Sequence, residues 1–307
     1  MCVRPFTPQY DRCLAELARH TQAIATHSAR AVTWLYRGGC LQNLSDLRGA
    51  VRDYDQVLTR AGELKLAELA QVYASRGVCK RQLDDKAGAV ADGEQAVLLD
   101  PKAKYYTDLG MARYWAGALE EAIADFNQAL SLDPDESWSV AYRGLAYQQQ
   151  GDHTAAIVDL TQLIDLPLHV AYTLYLYRAR SFMVLDRLEE AIADCDIAAQ
   201  RASVEDYNVY LVRGYCYFRL GHLAAALGDL SRAIALKPTF GELALWRGLV
   251  YQALGDHESA TNDLADFVNT HPNGVAVALY EAANALHLHP GQSELLMPIE
   301  TIEIVLA

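Results

Sequence analysis

Residues Ser139–Pro167 read SVAYRGLAYQQQGDHTAAIVDLTQLIDLP. Val140, Arg143, Gly144 and Tyr147 recur at helical spacing until Gly151-Asp152 breaks the run. Ala156, Ile157, Leu160, Leu163 and Ile164 then form a second helical stripe, which Pro167 ends. The stretch is a helix (A), a tight turn and an antiparallel helix (B). Arg143 lies eight residues before Gly151, and Asp159 lies eight after it. Positions equidistant from such a turn face each other, so Arg143 is expected to meet Asp159 or the Asp of a neighbouring hairpin.

The same pattern repeats on both sides. An Arg followed by Gly or Ala stands sixteen residues before an Asp in Arg37/Asp53, Arg76/Asp92, Arg143/Asp159, Arg178/Asp194, Arg213/Asp229 and Arg247/Asp263. A seventh copy, around Gly110, keeps Asp125 but has Leu109 in the Arg slot, so Asp125 is expected to borrow Arg113 or Arg143. The Ala three residues before each Asp (Ala50, Ala89, Ala122, Ala156, Ala191, Ala226, Ala260) steps by 39, 33, 34, 35, 35 and 34. A period near 34 marks stacked helical hairpins. Small residues after the Arg slot and in the Ala series let two helix backbones approach closely. The turn Gly is present at Gly117, Gly151, Gly221 and Gly255 and is replaced by Ser45, Asp84 and Asp186, which turns tolerate.

These features resemble the tetratricopeptide repeat, with its Trp-x2-Leu-Gly-x2-Tyr opening followed by Ala, Phe and Pro. The match rests on Gly38, Gly77, Gly110, Gly144, Ala179, Gly214 and Gly248, on the Ala series, and on Tyr147, Tyr217 and Tyr251 late in helix A. Trp34 leads the first copy, and Pro101, Pro134, Pro238 and Pro272 close four of them. The second copy departs at Lys80 and Gly93, and an excess of five residues near Gly62–Leu66 implies that its helix A starts early. The resemblance implies an all-α, right-handed superhelical solenoid of about seven hairpins. They fall at about 31–60, 63–101, 103–134, 137–167, 172–202, 207–238 and 241–272. An N-terminal capping helix is expected within 1–30, started by Thr7-Pro8, and a C-terminal one at 273–289, before an extended tail at 290–307.

Composition bounds the function. With 52% hydrophobic and 21% charged residues, the chain reads as soluble and foldable. A net charge of −13 argues against nucleic acid and anionic membranes as partners. The charge is uneven: residues 1–60 hold eight Arg against five acids, whereas residues 248–307 hold eight acids and no Lys or Arg. The six Cys show no metal spacing and read as free thiols of a cytoplasmic protein. No run approaches the length of a membrane span, and MCVRPFTPQY shows no secretion signal. Nucleotide, zinc and nucleophile motifs are missing, so no catalytic residue, cofactor or metal site is expected, and no enzyme.

By the resemblance, helix A lines the concave surface. Residues three before, one after and four after the motif Gly share one helix face. The first of these rows runs Leu35, Ala74, Thr107, Ala141, Leu176, Leu211 and Leu245. Of the 21 positions in the three rows, fourteen are apolar and only Arg81 and Arg180 are charged, which leaves no cationic cluster to clamp a partner's terminal carboxylate. The surface instead suits an apolar or amphipathic segment of another protein. Arg81, Met111, Tyr114, Trp115, Leu145, Arg180, Tyr215, Phe218 and Arg219 are the contact candidates, because aromatics and Arg dominate binding hot spots. The leading expectation is a non-enzymatic adaptor, scaffold or regulatory subunit. The alternative is a structural protein that self-associates through its apolar, acidic C-terminal end, where the 290–307 tail covers the cap helix, meets another copy or enters a groove.

Overall fold

The structure, a computed structural model, describes residues 8–26, 30–165, 171–239 and 241–270. The cap helix and tail expected over 273–307 lie outside them. Among the described residues there are fifteen α-helices, one 3-10 turn and no strand. The chain divides into two compact units, residues 1–146 and 147–307.

In the first unit α1 (Pro8–Ala25) packs on the hairpin of α2 (Ala31–Asn43) and α3 (Leu47–Leu58). There follow α4 (Leu66–Gln82) with α5 (Lys86–Leu99), α6 (Ala103–Ala116) with α7 (Leu119–Leu132), and the start of α8 (Ser137–Gln150). The second unit holds the end of α8, then α9 (His153–Ile164) and three hairpins. These are α10 (Tyr172–Val184) with α11 (Leu188–Arg201), α12 (Tyr207–Arg219) with α13 (Leu223–Leu236), and α14 (Glu242–Leu254) with α15 (His257–Thr270). Within each unit successive A helices touch: α2 with α4 and α4 with α6, then α10 with α12 and α12 with α14.

Local chemistry sets each hairpin. The turn residue adopts positive φ, between 76° and 90° at Gly117, Gly151, Gly221 and Gly255 and between 59° and 70° at Ser45, Asp84 and Asp186. In four hairpins the next residue is an Asp that caps helix B: Asp46, Asp85, Asp152 and Asp256 accept from the backbone N–H groups of Gly49, Gly88, Ala155 and Ser259 at 2.8–3.1 Å. The Ala series is at most 1% exposed. A Cβ at Gly110 would lie 2.6 Å from the Phe126 ring, and one at Gly77 would lie 3.2 Å from the Ala89 carbonyl oxygen. The motif Gly thus leaves room for what helix B brings against it, the Ala89 backbone at Gly77 and the Phe126 ring at Gly110.

The excess residues of the second hairpin form the 3-10 turn Ala61–Glu63 and lengthen α4 to 17 residues, against 13 for α2. The Glu63 carboxylate accepts from the Ala31 N–H at 2.8 Å, at the start of α2.

Ion pairs join the helices. In Arg37–Asp53, Arg76–Asp92, Arg178–Asp194, Arg213–Asp229 and Arg247–Asp263, Nε donates to Oδ2 and Nη2 to Oδ1 over 2.6–2.9 Å. These Asp side chains are only 3–12% exposed. The hydrogen bond to Asp raises the Arg37, Arg178, Arg213 and Arg247 pKa values further above their ordinary range. The remaining Nη1 reaches helix B of the preceding hairpin: Arg76 donates to Asp55, Arg143 to Asn127, Arg178 to Thr161 and Arg213 to Asp196, over 2.5–3.0 Å. In the third hairpin Leu109 fills the Arg slot and lies so close to Gly93 that a Cβ there would meet its Cα at 3.2 Å. Arg113, one turn later, donates to Asp125 at 2.7 Å and to Glu94 of α5 at 2.9 Å. Burial outweighs that pair and pushes the Asp125 carboxyl up to about 6.

Stranding one partner of a buried pair should be costly. Asp194→Ala is expected to lose roughly 3–5 kcal/mol of stability in urea unfolding. Glu205→Ala, which breaks the surface pair with Arg232, is expected to cause no measurable change. Equal effects would show that burial of the pair is irrelevant. Ser45→Gly, which relieves a left-handed backbone at φ 70°, should gain about 0.5–1 kcal/mol, while Gly221→Ala should lose about 1 kcal/mol. Both are read from the urea midpoint.

Candidate protein-interaction surface

The nine contact candidates fall on different units. Arg81, Met111, Tyr114, Trp115 and Leu145 belong to the first, and Arg180, Tyr215, Phe218 and Arg219 to the second. Trp115 is 49% exposed, while Arg81, Met111, Tyr114 and Leu145 are half-buried.

In the second unit the candidates fold inward. Tyr215 is buried with its ring edge-on to Trp246 at 5.0 Å, and Arg219 donates to its hydroxyl at 3.3 Å and to Asp186 at 3.0 Å. Arg180 is buried, donates to the Asn208 side chain at 3.0 Å, and has its pKa lowered by burial. Phe218 packs half-buried against the same core. Arg180 and Tyr215 are thus core residues rather than surface contacts, because successive A helices pack directly on each other. The same cause corrects the row three before the motif Gly: Ala74, Thr107, Leu176, Leu211 and Leu245 are all buried.

The exposed aromatic surface lies on α6 and α8 of the first unit. On α6, Lys104, Asp108, Met111 and Trp115 stand at i, i+4, i+7 and i+11, one stripe of a helix. On α8, Trp138, Tyr142 and Leu145 do the same, and Trp138 is 60% exposed. A buried hydrogen bond between the Thr107 and Ser139 hydroxyls, 2.8 Å long, fixes the seam between the two helices. Asp108 and Trp138 are the next residues along the chain from that bond, so they flank the seam. The rings continue across it: Tyr114 meets Trp115 at 5.5 Å and Tyr142 at 5.7 Å, and Trp138 meets Tyr142 at 6.3 Å.

Sequence reasoning missed Asp108, Trp138 and Tyr142. They occupy rows two and six before the motif Gly, and the signal was there in Trp138 and Tyr142 standing one helical turn apart. Asp108 is half-buried and makes no hydrogen bond or ion pair among the described residues. Burial pushes its carboxyl up to about 6, with Lys104 and Arg81 drawing it down and Glu136 pushing it up. The Glu136 carboxylate also accepts from the Trp138 N–H at 3.3 Å.

Other chemistry finds little support. Cys13, Cys40, Cys79, Cys195 and Cys216 are free and buried, and burial pushes the Cys40 and Cys79 thiols up to about 11. Among the described residues no group of His, Cys, Asp and Glu could hold a metal ion, and no helix is long and apolar enough to cross a membrane.

Comparison with known proteins matches family models described as TPR repeat, over residues 110–151, and tetratricopeptide repeat, over 143–206, 178–239 and 242–274. Together these span more than half of the chain. Human tetratricopeptide repeat protein 16 is 23% identical over 183 residues, covering 54% of this chain and 21% of that protein. The DnaJ homolog subfamily C member 7 homolog of Dictyostelium discoideum is 30% identical over 149 residues, covering 44% of this chain and 28% of that protein. The chain thus spans between a fifth and under a third of the length of these relatives. Among solved structures, a tetratricopeptide repeat protein from Parabacteroides merdae superposes with a TM-score of 0.61 at 18% identity, over 83% of this chain and 98% of that one. YrrB, a TPR protein with an unusual peptide-binding site, gives 0.51 at 18% identity, over 62% and 96%.

Asp108 provides a stability test of the surface. Its folded pKa of about 6 lies above the ordinary 3.8, so the protonated form favours folding. That contribution is complete below about pH 3.8 and is lost as pH rises through about 6. Asp108→Asn should therefore gain about 1–2 kcal/mol at pH 7.5 and nothing at pH 3.5, measured by urea unfolding. A gain independent of pH would rule out an ionised, poorly solvated carboxylate here.

Proposed function

Because the chain belongs to the tetratricopeptide repeat superfamily, we infer that it is a non-enzymatic protein–protein interaction module. It holds an apolar or amphipathic segment of another protein against its A helices and serves as an adaptor, scaffold or regulatory subunit in the cytoplasm. The observation that carries this reading is the half-open aromatic strip of Tyr114, Trp115, Trp138 and Tyr142. Its two Trp side chains stay 49% and 60% exposed, while the rings they meet, Tyr114 and Tyr142, are half-buried. Exposed aromatics grouped on one face mark interaction surfaces more than solvent-adapted ones. The peptide site reported for YrrB supports a peptide-like ligand for a related fold.

Within this reading Met111, Tyr114, Trp115 and Leu145 contact the partner in the first unit, with Arg81 at the edge. Phe218 and Arg219 are the accessible candidates of the second. Arg180 and Tyr215 support the surface from beneath.

A specific observation favours self-association as a second reading. Arg19, Arg30, Arg48 and Arg52 are exposed and form no ion pair among the described residues, whereas residues 248–307 carry eight acids and no Lys or Arg.

Affinity capture from the native host, followed by mass spectrometry, separates the two. Trp115→Glu is expected to keep the circular dichroism spectrum and melting temperature and to lose the main captured protein. An unchanged partner set would eliminate the aromatic strip as the binding surface. A mass in solution that rises with concentration and falls with added salt would favour self-association.

A further inference from the structure

Cations cover aromatic rings throughout this chain. Arg37 and Arg60 lie over Trp34, Arg76 over Tyr73, Arg178 and Arg201 over Tyr175, Arg213 over Tyr210, and Arg247 over Tyr251, at 4.8–5.9 Å from the ring centres. Most of these guanidiniums are the hairpin Arg itself. The third hairpin lacks that Arg, having Leu109 in its slot, and its replacement Arg113 is turned to Asp125 and Glu94. Among the described residues no cation stands over Trp115, Trp138 or Tyr142. The aromatic cluster that exposes Trp115 and Trp138 is thus left without a positive charge over those rings.

Asp108 supplies the second half of the observation. It follows Thr107, whose hydroxyl bonds Ser139 across the α6–α8 seam, and it is half-buried and without a hydrogen-bond donor among the described residues. A carboxylate held there lacks the donors that water would give it, and an incoming cation would restore them. An Arg or Lys side chain laid along the seam can put its charge on Asp108 and its stem or plane against Trp138 and Tyr142.

We propose that the α6–α8 face of the first unit recognises a basic side chain, Arg or Lys, within an otherwise apolar segment of a partner protein. Asp108 is the charge partner and Trp115, Trp138 and Tyr142 are the stacking surface. This rests on the reading above that the aromatic strip is the binding face, and it adds the chemical identity of what binds. The occupant is not the acidic end of this chain, because residues 248–307 contain no Lys or Arg. The charged groups facing Asp108 are Arg81 from α4, Lys104 from α6 itself and Glu136 just before α8.

The test selects 12-residue random peptides, displayed on phage, against the full chain at pH 7.5 and 150 mM salt. Peptides enriched on the protein are expected to carry one or two Arg or Lys beside apolar residues. In Trp fluorescence titrations their affinity should fall at least tenfold with Asp108→Asn and several-fold with Trp138→Leu, and it should be unchanged with Glu205→Ala, which breaks only a surface pair of the second unit. For the wild type it should weaken from pH 7.5 to pH 5 as Asp108 takes up its proton, a dependence that Asp108→Asn abolishes. Neutral or acidic peptides whose binding is lost with Trp115→Glu but kept with Asp108→Asn would overturn this inference and leave the aromatic-strip reading intact. Peptides unaffected by Trp115→Glu, or no enrichment at all, would overturn both. Loss of binding on dimerisation of the chain, restored by dilution, would make a second copy the occupant and overturn the separate-partner assignment.

Discussion

One guanidinium closes a hairpin, and in three hairpins it also reaches the one before. Its Nε and Nη2 face the carboxylate of its own helix B, and its Nη1 reaches helix B of the hairpin before, as at Arg76, Arg178 and Arg213. A planar fork with five donors can make both contacts at once, which a lysine ammonium on a flexible stem cannot do with the same geometry. The angle within a hairpin and the angle between hairpins are thereby set by the same side chain. Close packing of Gly and Ala brings the helices near enough for this, and the nearly dry carboxylates make the contact sensitive to any loss of partner.

The third hairpin shows that the requirement is for the charge and not for its address. Leu109 is buried where Arg stands elsewhere, and Gly93 of the preceding hairpin clears space for it. Arg113 then delivers the two contacts from one turn further along. The displaced cation no longer lies over the aromatic rings of helix A, so a change in the scaffold's wiring alters the chemistry of its surface.

Much of this was legible in the sequence. The period, the hairpin, its turn residues and the sixteen-residue Arg–Asp spacing follow from helical arithmetic within one hairpin, where distance along the chain fixes position in space. The choice of exposed face was less legible. Helical geometry relates Thr107 to Met111 on one helix, but it does not say where α8 will land. The Thr107–Ser139 bond puts that row in the seam, and the open surface moves round to Asp108, Trp138 and Tyr142. For the same reason Tyr215 and Arg180, which look like groove residues, lie inside the second unit, where the ring of Trp246 closes over Tyr215. Contacts between hairpins depend on helix placement, which a single sequence does not encode in any short-range spacing.

The break in the period between the first two hairpins reads at first as an irregularity. Its Glu63 closes back over 32 residues onto the first amide of α2, where a negative charge meets the positive end of a helix. The insertion is a clasp. Trimming the loop to restore a uniform repeat would tidy the sequence and unfasten the start of α2 from the turn that follows α3.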